Sequence, residues 1–197
     1  MNRKNIKIIG IFVAAGLLFG CGNANYDKEE TDSVIMDTNV LNTETEDVSQ
    51  EVIEFPAFTA VDLQGNSVTE AIFAEKDLTV INIWGTFCAP CIKEMPELGE
   101  WAKNMPDNVQ MIGLIIDING EEDTKRHDLA VTITEKAEAD FLQIIANQDF
   151  TPILNEVFGV PTTLFVDKNG DIVGEPIIGA DVDGYKKFVE DYFNEEE

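Results

Sequence analysis

Residues 78–91 read Leu78-Thr79-Val80-Ile81-Asn82-Ile83-Trp84-Gly85-Thr86-Phe87-Cys88-Ala89-Pro90-Cys91. The first seven are an almost unbroken apolar run rich in β-branched side chains. That is the pattern of a strand buried on both faces, not of one that alternates toward solvent. Gly85 and Thr86 end the run. Pro90 then stands where a helix begins, in a first turn whose N–H groups have no intrahelical partner, so its missing N–H costs no bond. Ile92, Met95, Leu98 and Ala102 follow at three- and four-residue spacing and predict a helix over residues 90–104. The C-x-x-C pair therefore sits at a strand-to-helix junction. A helix start offers unpaired N–H groups and a partial positive charge, and both favour a thiolate. In such a setting the first thiol ionises well below ~8.5, and Cys91, one turn inward, can close a disulfide onto Cys88.

Outward from this block, Phe58–Asp62, the turn at Gly65-Asn66 and Ser67–Thr69 read as a short hairpin. Val109–Ile116 is a second buried strand. A charged helical stretch over 121–139 leads to a third strand at Phe141–Ala146, and a short helix over 151–158 precedes Gly159-Val160-Pro161. Thr162–Val166, a turn at 168–171 and Ile172–Gly174 form a second hairpin. Asp183–Phe193 closes the chain as an amphipathic helix that buries Tyr185, Phe188, Val189 and Tyr192. Buried strands alternating with helices predict an α/β fold with a central sheet, which the terminal hairpin makes mixed.

The N-terminus is an address. Arg3, Lys4 and Lys7 precede the apolar run Ile8–Phe19, the signature of an export signal, and the run is shorter than the ~20 residues of a spanning helix. Leu18-Phe19-Gly20-Cys21 resembles the lipobox of bacterial lipoproteins, with Phe19 bulkier than the small residue usual there. That resemblance implies cleavage before Cys21 and a diacylglycerol anchor on its thiol. Residues 22–54 hold ten acids, one Lys and no sustained periodicity, which predicts a disordered tether of ~30 Å root-mean-square span. The expected organisation is a lipoprotein signal peptide at 1–20, a lipid-anchored acidic linker at 21–54 and a folded domain at 55–197.

Composition narrows the chemistry. With 13 Lys+Arg against 38 Asp+Glu the net charge is −25, and phosphate binding needs the opposite balance, so nucleic acid is not an expected partner. Three cysteines cannot build a disulfide framework. A c-type haem would need His after the second Cys, where Ile92 stands. A structural zinc needs four ligands, and the domain offers Cys88, Cys91 and His127. No metal is expected, and redox exchange through the pair is the chemistry the motif favours.

The block from Asn82 to Cys91, followed by Glu94-Met95-Pro96, resembles the TlpA/ResA-like thiol–disulfide oxidoreductases. Phe55-Pro56 at the domain start and Gly159-Val160-Pro161-Thr162-Thr163 downstream extend the likeness over residues 55–193. The resemblance implies a thioredoxin-like fold with an N-terminal hairpin and a helix–strand insertion at 121–146. It also implies Cys88 as nucleophile, Cys91 as its partner, Glu94 as an acid that moves the Cys91 proton, and Pro161 as a cis-proline facing the disulfide. Trp84, Phe87, Ala89, Pro90 and Val160 would meet the client. No cofactor is implied beyond the Cys88–Cys91 disulfide. The implied partners are disulfide-bearing client proteins, as in cytochrome c maturation, and a membrane thiol reductant of the CcdA type, with the domain on the outer face of the membrane. Thioredoxin itself carries a buried Asp where this chain has Asn82, so the proton duty passes to Glu94. Phe87 replaces the usual Trp, and Ala89 is uncharged. A peroxiredoxin-like peroxidase is a second reading, but its Thr three residues before the Cys is Gly85 here. A copper-binding or interaction lipoprotein is the non-enzymatic reading.

Overall fold

Strand Leu78–Trp84 is the axis of the molecule, and all seven of its residues are buried. The computed structural model describes residues 53–194, within the second of the two units into which the chain divides, Val48–Glu197. The expected signal peptide, Cys21 and the linker up to residue 52 lie outside the described residues. Within them run β1 (Ile53–Glu54), β2 (Thr59–Asp62), β3 (Ser67–Thr69), β4 (Leu78–Trp84), α1 (Ala89–Lys103), β5 (Val109–Ile115), α2 (Thr124–Lys136), β6 (Leu142–Ile145), α3 (Thr151–Leu154), β7 (Thr162–Asp167), β8 (Asp171–Ile172), β9 (Ile177–Ile178) and α4 (Val182–Asn194).

The strands form one mixed sheet in the order β1-β8-β7-β4-β5-β6-β2-β3, with β9 also paired to β7. β4 pairs parallel with β5 from Leu78↔Val109 to Trp84↔Ile115, and antiparallel with β7 from Leu78↔Asp167 to Ile83↔Thr162. β6 joins β5 in parallel and accepts the β2–β3 hairpin on its other edge. This is the expected α/β architecture with a central mixed sheet.

Because side chains alternate across a strand, β4 feeds two cores. Val80 and Trp84 pack on the side that also holds Met95 and Leu98 of α1 and Tyr185 and Val189 of α4. Ile81 and Ile83 point the other way, toward Phe55, Phe58, Phe73 and Phe150. These four rings make edge and tilted contacts with centroids 4.8–6.2 Å apart. Each such pair adds ~0.5–1.5 kcal/mol beyond the area it buries.

Four details differ from the sequence expectation. Ile53 and Glu54, placed in the linker, pair with Ile172 and Asp171 as β1; two residues are too few to show a period. The helix over 151–158 ends at Leu154, because the N–H groups of Glu156 and Val157 bond three residues back rather than four. α2 is shorter than 121–139: Gly120 turns the chain at φ 77° and Asp123 caps the helix by accepting the Arg126 N–H. In α1 the buried row is Cys91, Glu94, Met95, Leu98 and Gly99, and Ile92 is 38% exposed. The motif's own cysteine takes the inward place that periodicity gave to isoleucine.

Candidate functional site

The loop from β4 into α1 is tied down before it reaches the cysteines. Asp117, just past β5, accepts the Thr86 N–H at 2.9 Å and the Thr86 hydroxyl at 2.6 Å. The Cys88 N–H donates to the Gly85 carbonyl at 3.0 Å. Cys88 is the cap of α1, in extended backbone at φ −89° and ψ 101°, and its Sγ accepts the Cys91 N–H at 3.2 Å. An N–H aimed at that sulfur from a helix start is the arrangement that stabilises a thiolate.

Cys88 and Cys91 are joined in a disulfide with Cα atoms 5.3 Å apart. Cys88 retains 5% exposure and Cys91 none, so an incoming reagent meets Cys88 first. Across the disulfide, the Val160 carbonyl oxygen lies 3.4 Å from Cys88 Sγ. Pro161 follows a cis peptide bond, and its own carbonyl accepts the Gly179 N–H at 2.8 Å. Phe87, Ala89 and Pro90 are exposed beside the disulfide, and Val160 is half-buried.

Trp84 requires a correction. Expected to meet the client, it is fully buried, with its indole N–H donating to Gln143 Oε1 on β6 at 2.9 Å. The alternation of β4 turns it into the core. With no exposed surface, it supports the site from below. Gly113 makes room for this bond, since a Cβ there would lie 2.0 Å from Gln143 Oε1.

Glu94 is 6% exposed and faces the sheet. Asn82 Nδ2 donates to Glu94 Oε1 at 3.0 Å and also lies 3.1 Å from Thr163 Oγ1. The Tyr185 hydroxyl lies 3.3 Å from Glu94 Oε2. Burial pushes the Glu94 carboxyl up to about 7, against the lowering effect of the Asn82 and Tyr185 bonds and with help from nearby Glu97. A carboxyl poised near neutrality can both take and return a proton at working pH. A cleft of about 640 Å³ opens beside it, lined in part by Ala89, Pro90, Lys93, Asp181 and Val182.

The structure thus brings together Cys88, Cys91, Phe87, Ala89, Pro90, Val160 and Pro161, with Glu94 beneath on the inward row of α1. The sequence reading missed Tyr185 and Gln143 as polar partners and Asp117 as the clamp on Thr86. It also passed over Phe158, which is 89% exposed in the segment entering Val160-Pro161. Only Phe158 left a signal: an aromatic beside Gly159, at the last position of the helix expected over 151–158. Among the described residues no group of three or more His, Cys, Asp or Glu is arranged to hold a metal ion.

Comparison with known proteins adds four findings. The Redoxin family model matches residues 50–184. The chain is 30% identical over 143 residues to the thiol-disulfide oxidoreductase ResA of Bacillus thuringiensis strain Al Hakam, covering 68% of this chain and 75% of that one. A second ResA, from Bacillus thuringiensis subsp. konkukian, is 29% identical over 126 residues, and the match spans 62% of this chain and 66% of that relative's length. Among solved structures, the thioredoxin domain of a thiol-disulfide oxidoreductase from Bacteroides vulgatus superposes with a TM-score of 0.54 at 29% identity, covering 70% of this chain and 96% of that domain.

Proposed function

Since the chain belongs to the Redoxin family, and within it to the TlpA/ResA-like thiol–disulfide oxidoreductases, we propose that it reduces disulfides of client proteins through Cys88 and Cys91. The observation that carries this is the Cys88–Cys91 disulfide at the start of α1, with the Cys91 N–H aimed at the outer sulfur.

In the reduced protein the Cys88 thiolate attacks one sulfur of a client disulfide. The client S–S bond breaks, a Cys88–client bond forms, and the released client thiolate takes a proton. Cys91 then gives its proton to the Glu94 carboxylate and attacks Cys88 Sγ. The Cys88–client bond breaks, and the second client thiolate leaves with the proton that Glu94 returns. Two electrons pass from the dithiol to the client, and the Cys88–Cys91 disulfide is the oxidised product. No other cofactor takes part. An external dithiol, in this reading a membrane reductant of the CcdA type, restores the starting state.

Phe87, Ala89, Pro90 and Val160 receive the client, and Pro161 holds the Val160 carbonyl side of the groove. The domain works outside the cytoplasm, tethered by lipid on Cys21, with cytochrome c maturation as the client pathway. The first 21 residues and the acidic stretch after them support this location, as does the ResA likeness. Cys21→Ala should abolish incorporation of a labelled fatty acid. An unprocessed Met1–Gly20 segment on the wild-type protein would refute the anchor.

The exchange itself is tested with purified protein and insulin as disulfide substrate. Cys91→Ser should accumulate a mixed disulfide on Cys88, and Cys88→Ser should form none. Wild-type exchange rates in Cys88→Ser would overturn the assignment.

A further inference from the structure

Tyr185 is wholly buried in α4, and among the described residues its hydroxyl has four polar neighbours. It donates to the Gly179 carbonyl oxygen at 2.6 Å, accepts the Asp181 N–H at 3.2 Å and a hydrogen bond from Thr163, and lies 3.3 Å from Glu94 Oε2. A phenol has one proton to give and two lone pairs. The lone pairs serve Asp181 and Thr163, so Gly179 and Glu94 compete for the single proton. While Glu94 is neutral, the shorter contact keeps that proton on the Gly179 side.

Ionisation of Glu94 reverses the demand. The carboxylate then needs a donor at Oε2, while Asn82 serves Oε1. The other charged groups nearby are Glu97 and Lys93 on α1 and Asp181 and Asp183 at the start of α4. Lys186 of α4 is already paired with Glu97 at 2.8 Å. From the sheet side, Asn82 bonds Glu94 Oε1, and Thr163 bonds both Asn82 and Tyr185; both are uncharged. Within the bonds that reach Glu94 Oε2, the phenol is the one able to supply a proton.

We propose that Tyr185 is the positioning residue for Glu94, its hydroxyl swinging from the Gly179 carbonyl to the Glu94 carboxylate whenever Glu94 loses its proton. The swing holds the ionised acid in place for its next transfer. It also frees the Gly179 carbonyl, on the segment whose N–H is bonded to Pro161. The protonation state of the interior acid is thereby transmitted to the strand beside the client groove. This inference rests on Glu94 being the proton carrier of the exchange.

The test is the pH profile of disulfide exchange for wild type, Tyr185→Phe, Glu94→Gln and the double variant. Tyr185→Phe keeps the ring and removes the donor to the ionised form, so its ionisation limb should move up by about one pH unit, the tenfold change that one charge-assisted hydrogen bond supports. A merely structural role would scale the rate without moving the limb. In the Glu94→Gln background, Tyr185→Phe should cause no further displacement. If Glu94→Gln leaves the profile unmoved, the proton-carrier reading falls and this inference with it. If Glu94→Gln moves the limb and Tyr185→Phe does not, the inference alone falls. Wild-type protein gives a second measurement, independent of how the variants fold. The carbonyl carbon of Gly179 should titrate by NMR with the same midpoint as the Glu94 carboxyl carbon, and a Gly179 signal flat across that midpoint would overturn the proposal.

Discussion

Replacing Glu94 by Gln preserves the side chain's shape and its bond from Asn82 while removing its ionisation. In the oxidised protein the Glu94 carboxyl stands at about 7 against an ordinary 4.5. At ~1.36 kcal/mol for each tenfold change in an ionisation constant, that difference is about 3 kcal/mol. The sign follows from proton binding. Between pH 4.5 and about 7 the folded protein keeps a proton that the unfolded chain has released. The neutral acid's contribution is therefore fully present below the lower value and is lost as pH rises through the upper one. Wild type should lose stability from this group across that window, whereas Glu94→Gln should not. Denaturant unfolding of both oxidised proteins at pH 5 and pH 8 reads the effect. The stability of the variant minus that of wild type should grow by roughly 2.5 kcal/mol between those conditions. Subtracting one protein from the other cancels the titration of the many surface acids. A difference that stays constant within ~0.5 kcal/mol would refute the reasoning, since it would mean that Glu94 ionises in the folded protein as it does in water.

Gly113→Ala should force Gln143 away from the Trp84 indole, because the new Cβ would fall 2.0 Å from Gln143 Oε1. A loss of ~1–3 kcal/mol is expected for overpacking and a broken buried bond, seen in thermal unfolding together with a changed Trp emission; an unaltered melt would count against the tight fit. Phe158→Ser should raise the KM for a protein disulfide several-fold, roughly the ~1–2 kcal/mol of a buried aromatic contact, and leave the rate with a small disulfide such as oxidised glutathione unchanged. Equal effects on both substrates would show that Phe158 does not contact clients.

The sequence made some features legible because they are local. The nearly continuous apolar run of β4 announces a doubly buried strand, and Pro90 marks the helix start that makes Cys88 the cap residue. Glu94 could be placed on the Cys91 side of α1 by spacing alone. What was not legible depends on contacts far apart in the chain. Tyr185 reads as one more apolar position of an amphipathic helix, and its hydroxyl finds Glu94 91 residues away. Trp84 looks like a client-facing aromatic beside the motif until the alternation of β4, fixed by its pairing with β5 and β7, turns it inward. Gln143 lies in a short strand whose polar residue has no local reason to be buried. β1 has two residues, and its strand character comes entirely from its partner β8.

The division of the core by the sheet has a consequence for how such a protein can change over time. Asn82, Glu94, Tyr185 and both cysteines belong to the helix-covered side of β4, while Phe55, Phe58, Phe73 and Phe150 crowd the opposite side. The strand backbone between them acts as a partition. Loss of one ring of the phenylalanine cluster would cost the fold ~3–5 kcal/mol without displacing a hydrogen bond that reaches Glu94. Robustness and redox chemistry therefore sit in separate compartments, so mutation can adjust one while the other stays as it is.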